Sequence, residues 1–362
     1  MILLMLSAVV TTLVLCVGLM PLARKIDLVD HPGERKVHEL PTPLTGGPAM
    51  LITSGLMLIF LAEGNLFVQG LAAGGLMMFI LGLVDDYKPL PVWIRFVGQV
   101  AACLLIINYT GVRLDDFGML LTGNVWSLGV LSVPITVFAA LGVINSFNMI
   151  DGMDGLSATI FLVAAAGMAL LAAMATQVEL FLLLMVAISA VFGYLLLNAR
   201  FPWNLRARVF MGDSGSMFLG FFLAWCFISL GNDHNETGTR AFMPMTAVWL
   251  FAVPLLDTTT SIWRRWRTGG SAFLADQFHL HHAFLRAGFT VVQTWLGIAV
   301  LAIVLAAAGL AFQASDLPDH YSFWCFMVVA FGFYFYMKRT WHLQRFLGRD
   351  FIYNDFDEPN DN

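Results

Sequence analysis

Long apolar segments alternate with short polar segments from one end of the chain to the other. About 20 apolar residues cross the hydrocarbon core of a bilayer as a helix. By that measure the pattern predicts an all-α integral membrane protein with about eleven transmembrane helices, in a single domain over residues 1–340. The predicted spans are 2–22, 46–62, 66–84, 92–108, 128–146, 157–175, 179–198, 214–230, 243–262, 290–312 and 321–337.

Composition agrees with this prediction, because 59% of the 362 residues are hydrophobic and only 12% are charged. The charged share is about half that of a typical soluble protein. All four cysteines lie in apolar runs, where buried thiols are more common than disulfides or metal ligands. No cluster of Lys and Arg indicates nucleic acid binding. The tail, 341–362, ends in an acidic segment that we expect to be disordered.

The distribution of basic residues predicts the orientation in the membrane. With the N-terminus outside and the C-terminus in the cytoplasm, every Lys and Arg except Arg113 and Arg240 lies on the cytoplasmic side. Cytoplasmic loops are normally the ones enriched in basic residues. The outer loops are mostly short, and we expect no polar cluster in them comparable to those inside. The first apolar run has no basic segment before it, so we interpret it as a retained span rather than a signal peptide.

Four polar motifs follow predicted spans and, in this orientation, all face the cytoplasm. They are Val84-Asp85-Asp86-Tyr87, Asn145 to Gly155, Phe210 to Ser216, and His279-Leu280-His281-His282. Acids, amides and imidazoles at one membrane face suggest a metal-assisted reaction between a soluble phosphate compound and a lipid.

Asp85 and Asp86 end the third span. Adjacent carboxylates repel each other and normally need a cation or a proton between them. A general base or a metal-phosphate contact is one interpretation, and a solvated helix end is the other. The residues alone favour neither.

The second motif carries polar side chains at a regular spacing. Asn145, Asn148, Asp151 and Asp154 step by three, which predicts neighbours on one face of a helix. Helix capping explains one such residue, but four of them favour a functional site.

Asp213 begins the eighth span among small residues, where backbone N–H groups also favour anions. Mg²⁺ is usually held by one or two carboxylates together with substrate phosphates and water. Asp213 could therefore bind Mg²⁺, or it could simply cap the helix.

The histidine motif lies near Arg264 and Arg265. These side chains suit hydrogen bonding to phosphate or sugar oxygens. Alternatives are a Zn²⁺ site and a basic surface that meets lipid headgroups.

Asp257, inside the ninth span, is either a site residue or the structural partner of a nearby arginine. The first loop, Arg35 to Gly47, either contacts a nucleotide or lipid phosphate or serves as a positive-inside anchor.

Together and in this order, these motifs resemble the polyprenyl-phosphate N-acetylhexosamine-1-phosphate transferases. Within that family the chain is most similar to bacterial enzymes that use UDP-GlcNAc and undecaprenyl phosphate and start O-antigen or common-antigen synthesis. The resemblance covers nearly the whole chain. The histidine motif argues against the phospho-MurNAc-pentapeptide transferases, which usually carry three consecutive histidines. One departure from the family pattern is Gln277, where a basic residue often stands.

The resemblance implies roles for individual residues. Asp85 and Asp86 are expected to be catalytic and to activate the lipid phosphate. Asp213, with Asp154 as a second candidate, is expected to bind Mg²⁺, for which Mn²⁺ could substitute. The expected substrate-binding residues are Asn145, Asn148, Asp151, Asn198, Phe210, Arg264, Arg265, His279, His281 and His282. Phe210 is a candidate to stack on uracil.

The expected activity is transfer of GlcNAc-1-phosphate from UDP-GlcNAc to undecaprenyl phosphate at the cytoplasmic face of the bacterial inner membrane, with release of UMP. The alternatives are the same reaction with another UDP-N-acetylhexosamine and, from a different class, a transporter or flippase. A transporter would place its charges near the membrane midplane and often shows repeated halves, which this sequence does not. The sequence does not exclude an oligomer.

Overall fold

Most of the described chain is helical. The computed structural model describes residues 1–31, 40–58, 64–121, 124–202, 204–232, 239–267, 279–315 and 317–339. The helices are α1 (Ile2–Lys25), α2 (Gly46–Leu58), α3 (Leu66–Tyr87), α4 (Val92–Thr110), α5 (Ser132–Ile150), α6 (Leu156–Met174), α7 (Val178–Asn198), α8 (Gly212–Leu230), α9 (Pro244–Leu250), α10 (Ala252–Arg267), α11 (Leu280–Arg286), α12 (Val291–Ala314) and α13 (Asp319–Lys338). Two short strands, β1 (Val29–Asp30) and β2 (Thr42–Pro43), pair antiparallel.

Each predicted span coincides with a helix or, for the ninth, with a pair of helices. Eight of the described helices are long and apolar enough to cross a membrane, and the bent pair would make nine. The all-α membrane architecture is therefore confirmed. The total of eleven spans and the orientation of the termini stay predictions, as does the single domain over 1–340. The tail, 341–362, lies outside the described residues, as do Arg35, Lys36 and Gln277.

The ninth predicted span is not one continuous helix. Helices α9 and α10 meet at 83°. Pro254 lies in the first turn of α10, where a missing N–H costs nothing because the first N–H groups of a helix have no intrahelical partner. In a continuous helix the same proline would remove a bond to Leu250 and clash with its carbonyl. The ninth predicted span, 243–262, therefore consists of a bent pair of helices.

Helix α8 forms the centre of the bundle. It is buried from Ser214 to Leu230 and packs chiefly against α3 and α5. The approach to α3 is so close that a Cβ added to Gly82 would overlap the backbone of Asp213 and Ser214. This contact places the end of α3, with its two aspartates, against the start of α8.

A second polar cluster lies at the opposite end of α5 and α8. Arg240 donates two hydrogen bonds to Asp116, at 3.1 and 2.8 Å, and Arg113 pairs with Asp115 at 3.2 Å. Our expectation of no comparable cluster in these loops is wrong. The segments that pair are more than a hundred residues apart in sequence, so only folding brings them together.

Candidate active site

Asp86 joins the end of α3 to the first turn of α8. One carboxylate oxygen accepts the backbone N–H of Asp213 at 2.6 Å and the other accepts that of Ser214 at 3.0 Å. The side chain of Met211, the N-cap residue of α8, makes no capping hydrogen bond. Asp86 therefore supplies the acceptors that the first N–H groups of α8 need, and its negative charge is favoured at this end of the helix.

Asp85 faces a cation. One oxygen accepts the N–H of Leu90 at 2.6 Å, and the other accepts a guanidinium N–H of Arg95 at 3.1 Å. The Asp85 side chain is only 5% exposed, while that of Arg95 is 29% exposed. The arginine therefore holds a nearly buried carboxylate in place and still reaches solvent.

Asp213 lies between the ends of α3 and α5. The side-chain amide of Asn148 donates to its carboxylate at 2.6 Å and to the hydroxyl of Ser216 at 2.8 Å. The carboxyl of Asp213 also lies close to that of Asp85. Two carboxyls held together in this way favour a proton or a cation between them.

Asp151 completes the group of carboxyls. It lies just past the end of α5 and accepts the hydroxyl of Ser157 at 2.5 Å. Burial, together with the negative charges of Asp213, Asp86 and Asp154, raises the pKa of Asp151 to about 7, although the hydrogen bond from Ser157 works in the opposite direction. Asp151 therefore titrates near neutral pH, in the range suited to a general acid or base.

Two members of the second motif are positioned differently from our prediction. Helix α5 ends at Ile150, so Asp151 and Asp154 lie in the turn before α6 and not on the helical face with Asn145 and Asn148. The backbone leaves the helix at Asp151, whose φ of −78° and ψ of 49° are not helical. The regular spacing of three was therefore misleading beyond residue 148.

Asp154 pairs with a cation instead of joining Asp213. The Nε of Arg200 donates to its carboxylate at 2.7 Å, and the N–H of Ala207 donates at 3.4 Å. Asn198 lies nearby and is only 3% exposed. Its amide accepts from the N–H of Gly155 at 2.7 Å and donates to the carbonyl of Val209 at 2.9 Å. Both side chains therefore tie the turn before α6 to the segment before α8, and their predicted metal and uridine contacts stay predictions.

Asn145 lies about one turn before Asn148 on α5. It donates to the side-chain carbonyl of Gln99 at 2.8 Å and to the backbone carbonyl of Leu141 at 2.8 Å. Gln99 is only 1% exposed. Reciprocal amide pairing of this kind satisfies buried polar groups between helices, which is a structural role for the residue we predicted to bind substrate.

The main chain of Phe210 is hydrogen-bonded to the end of the first loop. Its N–H donates to the carbonyl of Pro43 at 3.0 Å, and its own carbonyl accepts from Gly46 at 2.9 Å. The ring packs beside the small cluster that contains Leu44, and Leu83 packs there too. The first loop therefore adjoins the site, and stacking of Phe210 on uracil stays a prediction.

The histidine motif begins α11 and reaches the same turn. His279 and His281 are 6% and 2% exposed, and their rings lie parallel with centroids 6.0 Å apart. A Cβ on Gly152 would come within 2.7 Å of the His281 Nε2 atom. The structure thus brings the histidine motif against the motif that holds Asp151. Arg264 and Arg265 lie in the last turn of α10.

Comparison with known proteins identifies the family. A sequence model of glycosyl transferase family 4 matches residues 68–231. The undecaprenyl-phosphate alpha-N-acetylglucosaminyl 1-phosphate transferase of Escherichia coli K12 is 32% identical over 332 residues, which is 90% of this chain and 88% of that protein. The Yersinia pestis protein of that name is 34% identical over 333 residues, which is 90% of this chain and 88% of that protein. The Haemophilus influenzae protein of that name is 32% identical over 333 residues, which is 91% of this chain and 92% of that protein. The chain belongs to this transferase family.

Family membership confirms the resemblance drawn from the motifs and favours the transferase over the transporter. The matched region, 68–231, contains the aspartates of α3, the turn before α6 and the start of α8. The identity to the full-length relatives extends over about nine-tenths of the chain. The carboxyl cluster is therefore the candidate active site of a family 4 transferase.

The donor set fits Mg²⁺ when the substrate supplies the remaining ligands. In the described ranges, no three His, Cys, Asp or Glu side chains form a group that could hold a metal by themselves. A substrate-assisted Mg²⁺ site needs only one or two carboxylates with phosphate and water. Asp213 and the nearby Asp85 offer hard oxygen donors of this kind.

Sequence reasoning missed several residues that hold the site together. Arg95 and Gln99 stand four residues apart on α4, which is the spacing of one helical face, and this signal could have drawn attention to them. Arg200 gave no such signal, because its partner, Asp154, lies 46 residues earlier in the chain. Ser157 gave none, because its partner, Asp151, lies in the turn before α6 and not on the same helix.

Proposed function

We propose that this chain transfers GlcNAc-1-phosphate from UDP-GlcNAc to undecaprenyl phosphate and releases UMP, at the cytoplasmic face of a bacterial inner membrane. The observation that carries the proposal is the convergence of Asp85, Asp86, Asp151 and Asp213 where four helices begin or end. The names of the full-length relatives support the choice of sugar and lipid.

The position of the cluster suits two reagents of different solubility. A lipid phosphate lies in the headgroup plane, whereas a nucleotide sugar comes from water. Polar side chains at helix ends can meet both, and the turn before α6 and the histidines of α11 adjoin the cluster from one side. Imidazole and guanidinium groups of this region would bind diphosphate and sugar oxygens through charge-assisted hydrogen bonds.

The reaction exchanges one phosphoanhydride bond for another. An oxygen of the lipid phosphate attacks the β-phosphorus of UDP-GlcNAc and forms a new P–O bond. The bond from that phosphorus to the bridging oxygen breaks, and UMP leaves with the bridging oxygen. We prefer this direct attack to a covalent aspartyl intermediate, because the oxygens of Asp85 and Asp86 already accept hydrogen bonds that hold them in place. The reaction should be reversible, since the bonds broken and formed are alike.

Charge balance is the main demand on the protein. Four carboxyls would repel two phosphate compounds unless cations intervene, and Arg95 already lies at the cluster. Mg²⁺ bound by Asp213, with Asp85 or Asp154 as further candidates, would neutralise the diphosphate and stabilise the leaving group. Asn148 holds the Asp213 carboxylate in position, and Asp151 can hold or release a proton near neutral pH.

The test is formation of labelled lipid from UDP-GlcNAc by the purified full-length protein with undecaprenyl phosphate and Mg²⁺. Asp213→Asn keeps the shape of the side chain but removes its charge, so turnover should fall at least a hundredfold and the response to Mg²⁺ should weaken. Asp27→Asn is the matched control, since this aspartate has an exposed side chain outside the cluster. An Asp213→Asn enzyme with normal turnover and an unchanged Mg²⁺ titration would contradict the metal assignment.

A panel of UDP-N-acetylhexosamines tests the sugar. Product with UDP-GlcNAc alone supports the proposal, whereas product only with another UDP-sugar keeps the family chemistry and replaces the sugar. If no UDP-sugar of the panel leads to release of UMP, the proposed activity is refuted.

A further inference from the structure

Asp257 is a buried carboxylate that lies outside the cluster described above. It is only 1% exposed and lies in α10, shortly after the 83° bend from α9. A buried carboxylate is costly unless hydrogen bonds satisfy it. Both of its oxygens are used, and both partners belong to the start of α11.

The two bonds have different effects on α11. One oxygen accepts the N–H of Leu280, the first residue of the helix, at 2.8 Å. The other lies 2.8 Å from the Nδ1 atom of His279, the N-cap residue. A helix of seven residues is too short to be stable by itself. The carboxylate therefore acts as an N-cap supplied by another helix.

The second bond also determines the tautomer of His279. A carboxylate only accepts hydrogen bonds, so Nδ1 must carry the proton. The Nε2 atom is then left to accept a hydrogen bond in the neutral ring or to donate one in the charged ring. The ring of His279 lies parallel to that of His281, which contacts the turn containing Gly152. The His281 and His282 rings also adjoin, with centroids 4.2 Å apart.

We propose that Asp257 is a positioning residue, which docks α11 through Leu280 and orients His279 and the adjoining histidines towards the turn before α6. This inference rests on the proposed function for its kinetic consequence, because that turn would meet the sugar nucleotide. Asp257 itself touches no substrate. Its loss should therefore raise the KM for UDP-GlcNAc and leave the KM for undecaprenyl phosphate nearly unchanged.

A double-mutant cycle on the full-length enzyme tests the coupling to His279. Asp257→Asn and His279→Asn should each lower kcat/KM for UDP-GlcNAc at least tenfold. The double variant should fall within about twofold of His279→Asn, because residues that act through one contact are not additive. Independent effects that multiply would overturn the proposal. Thr259→Val is the control on the same helix, since it removes only bonds to backbone carbonyls of α10 itself.

Amide hydrogen exchange tests the docking without any assay of activity. Exchange of the peptide 279–287 should be at least tenfold faster in Asp257→Ala than in wild type or Thr259→Val, since loss of tertiary contacts lowers the free energy of local opening. Equal exchange in Asp257→Ala and Thr259→Val would overturn the proposal. A wild-type protein that releases no UMP would instead refute the proposed function, while the exchange comparison would still decide the docking.

Discussion

Replacing Gly212 by alanine perturbs the junction between α3 and α8. Gly212 has a φ of 70°, and a Cβ there would come within 2.5 Å of an oxygen of Asp86. Alanine in this backbone region costs about 1–2 kcal/mol. The contact would also displace Asp86 from at least one of its two N–H donors, and a hydrogen bond to a charged group contributes about 1.5–3 kcal/mol.

The chain offers a matched control for the backbone cost. Gly111, at the end of α4, has a φ of 75° and no atom within 4 Å of an added Cβ. Gly111→Ala should therefore lower the free energy of unfolding by about 1–2 kcal/mol. Gly212→Ala should lower it by about 2.5–5 kcal/mol, the total of the backbone cost and one charge-assisted bond.

The assay combines reversible denaturant unfolding in detergent micelles with UMP release. We expect Gly212→Ala to lose at least tenfold in turnover, because a shift of about 1 Å in positioned groups can cost about a hundredfold. Gly111→Ala should keep its turnover. Equal stability of the two variants, together with full activity of Gly212→Ala, would refute the assignment of Asp86 as the residue that joins α3 to α8.

Three further predictions concern the orientation in the membrane and the charges of the site. Reporter fusions after Gly111 and Gly231 should both report a periplasmic position, and a cytoplasmic result at either would reverse the predicted orientation. Asp151→Asn should raise the Tm of the substrate-free protein by roughly 2–4 °C for each kcal/mol of repulsion removed, yet lower turnover; an unchanged Tm would contradict the charge crowding. Arg95→Gln should lower turnover at least tenfold, whereas Arg95→Lys should retain more of it. Wild-type turnover in Arg95→Gln would show that the positive charge is dispensable.

The hydrophobic pattern was enough to place the long apolar helices. A span needs about 20 apolar residues because the bilayer core has a nearly constant thickness. This local requirement can be read without knowledge of the neighbours, and every predicted span coincides with a helix or a bent pair. The site motifs were also recognisable, because polar residues at the ends of apolar runs are conspicuous.

The partners of those residues were not predictable in the same way. From the sequence, Asp154 and Asp213 had the same predicted role. In the structure, however, Asp154 pairs with Arg200 and Asp213 accepts a hydrogen bond from Asn148. Asp86 caps α8 by accepting the N–H of Asp213, which lies 127 residues later in the chain.

The sequence by itself determined the class of protein, the positions of the long apolar helices and the residue types of the site. Only the tertiary structure decided which carboxylates share the cluster, which are tied to cations, and which residue holds the histidine helix. The physical reason is the separation in sequence between the groups that interact. Helix formation in a membrane satisfies backbone groups within each segment, whereas ion pairs and tertiary caps depend on distances between segments far apart in the chain, as between Asp257 and Leu280.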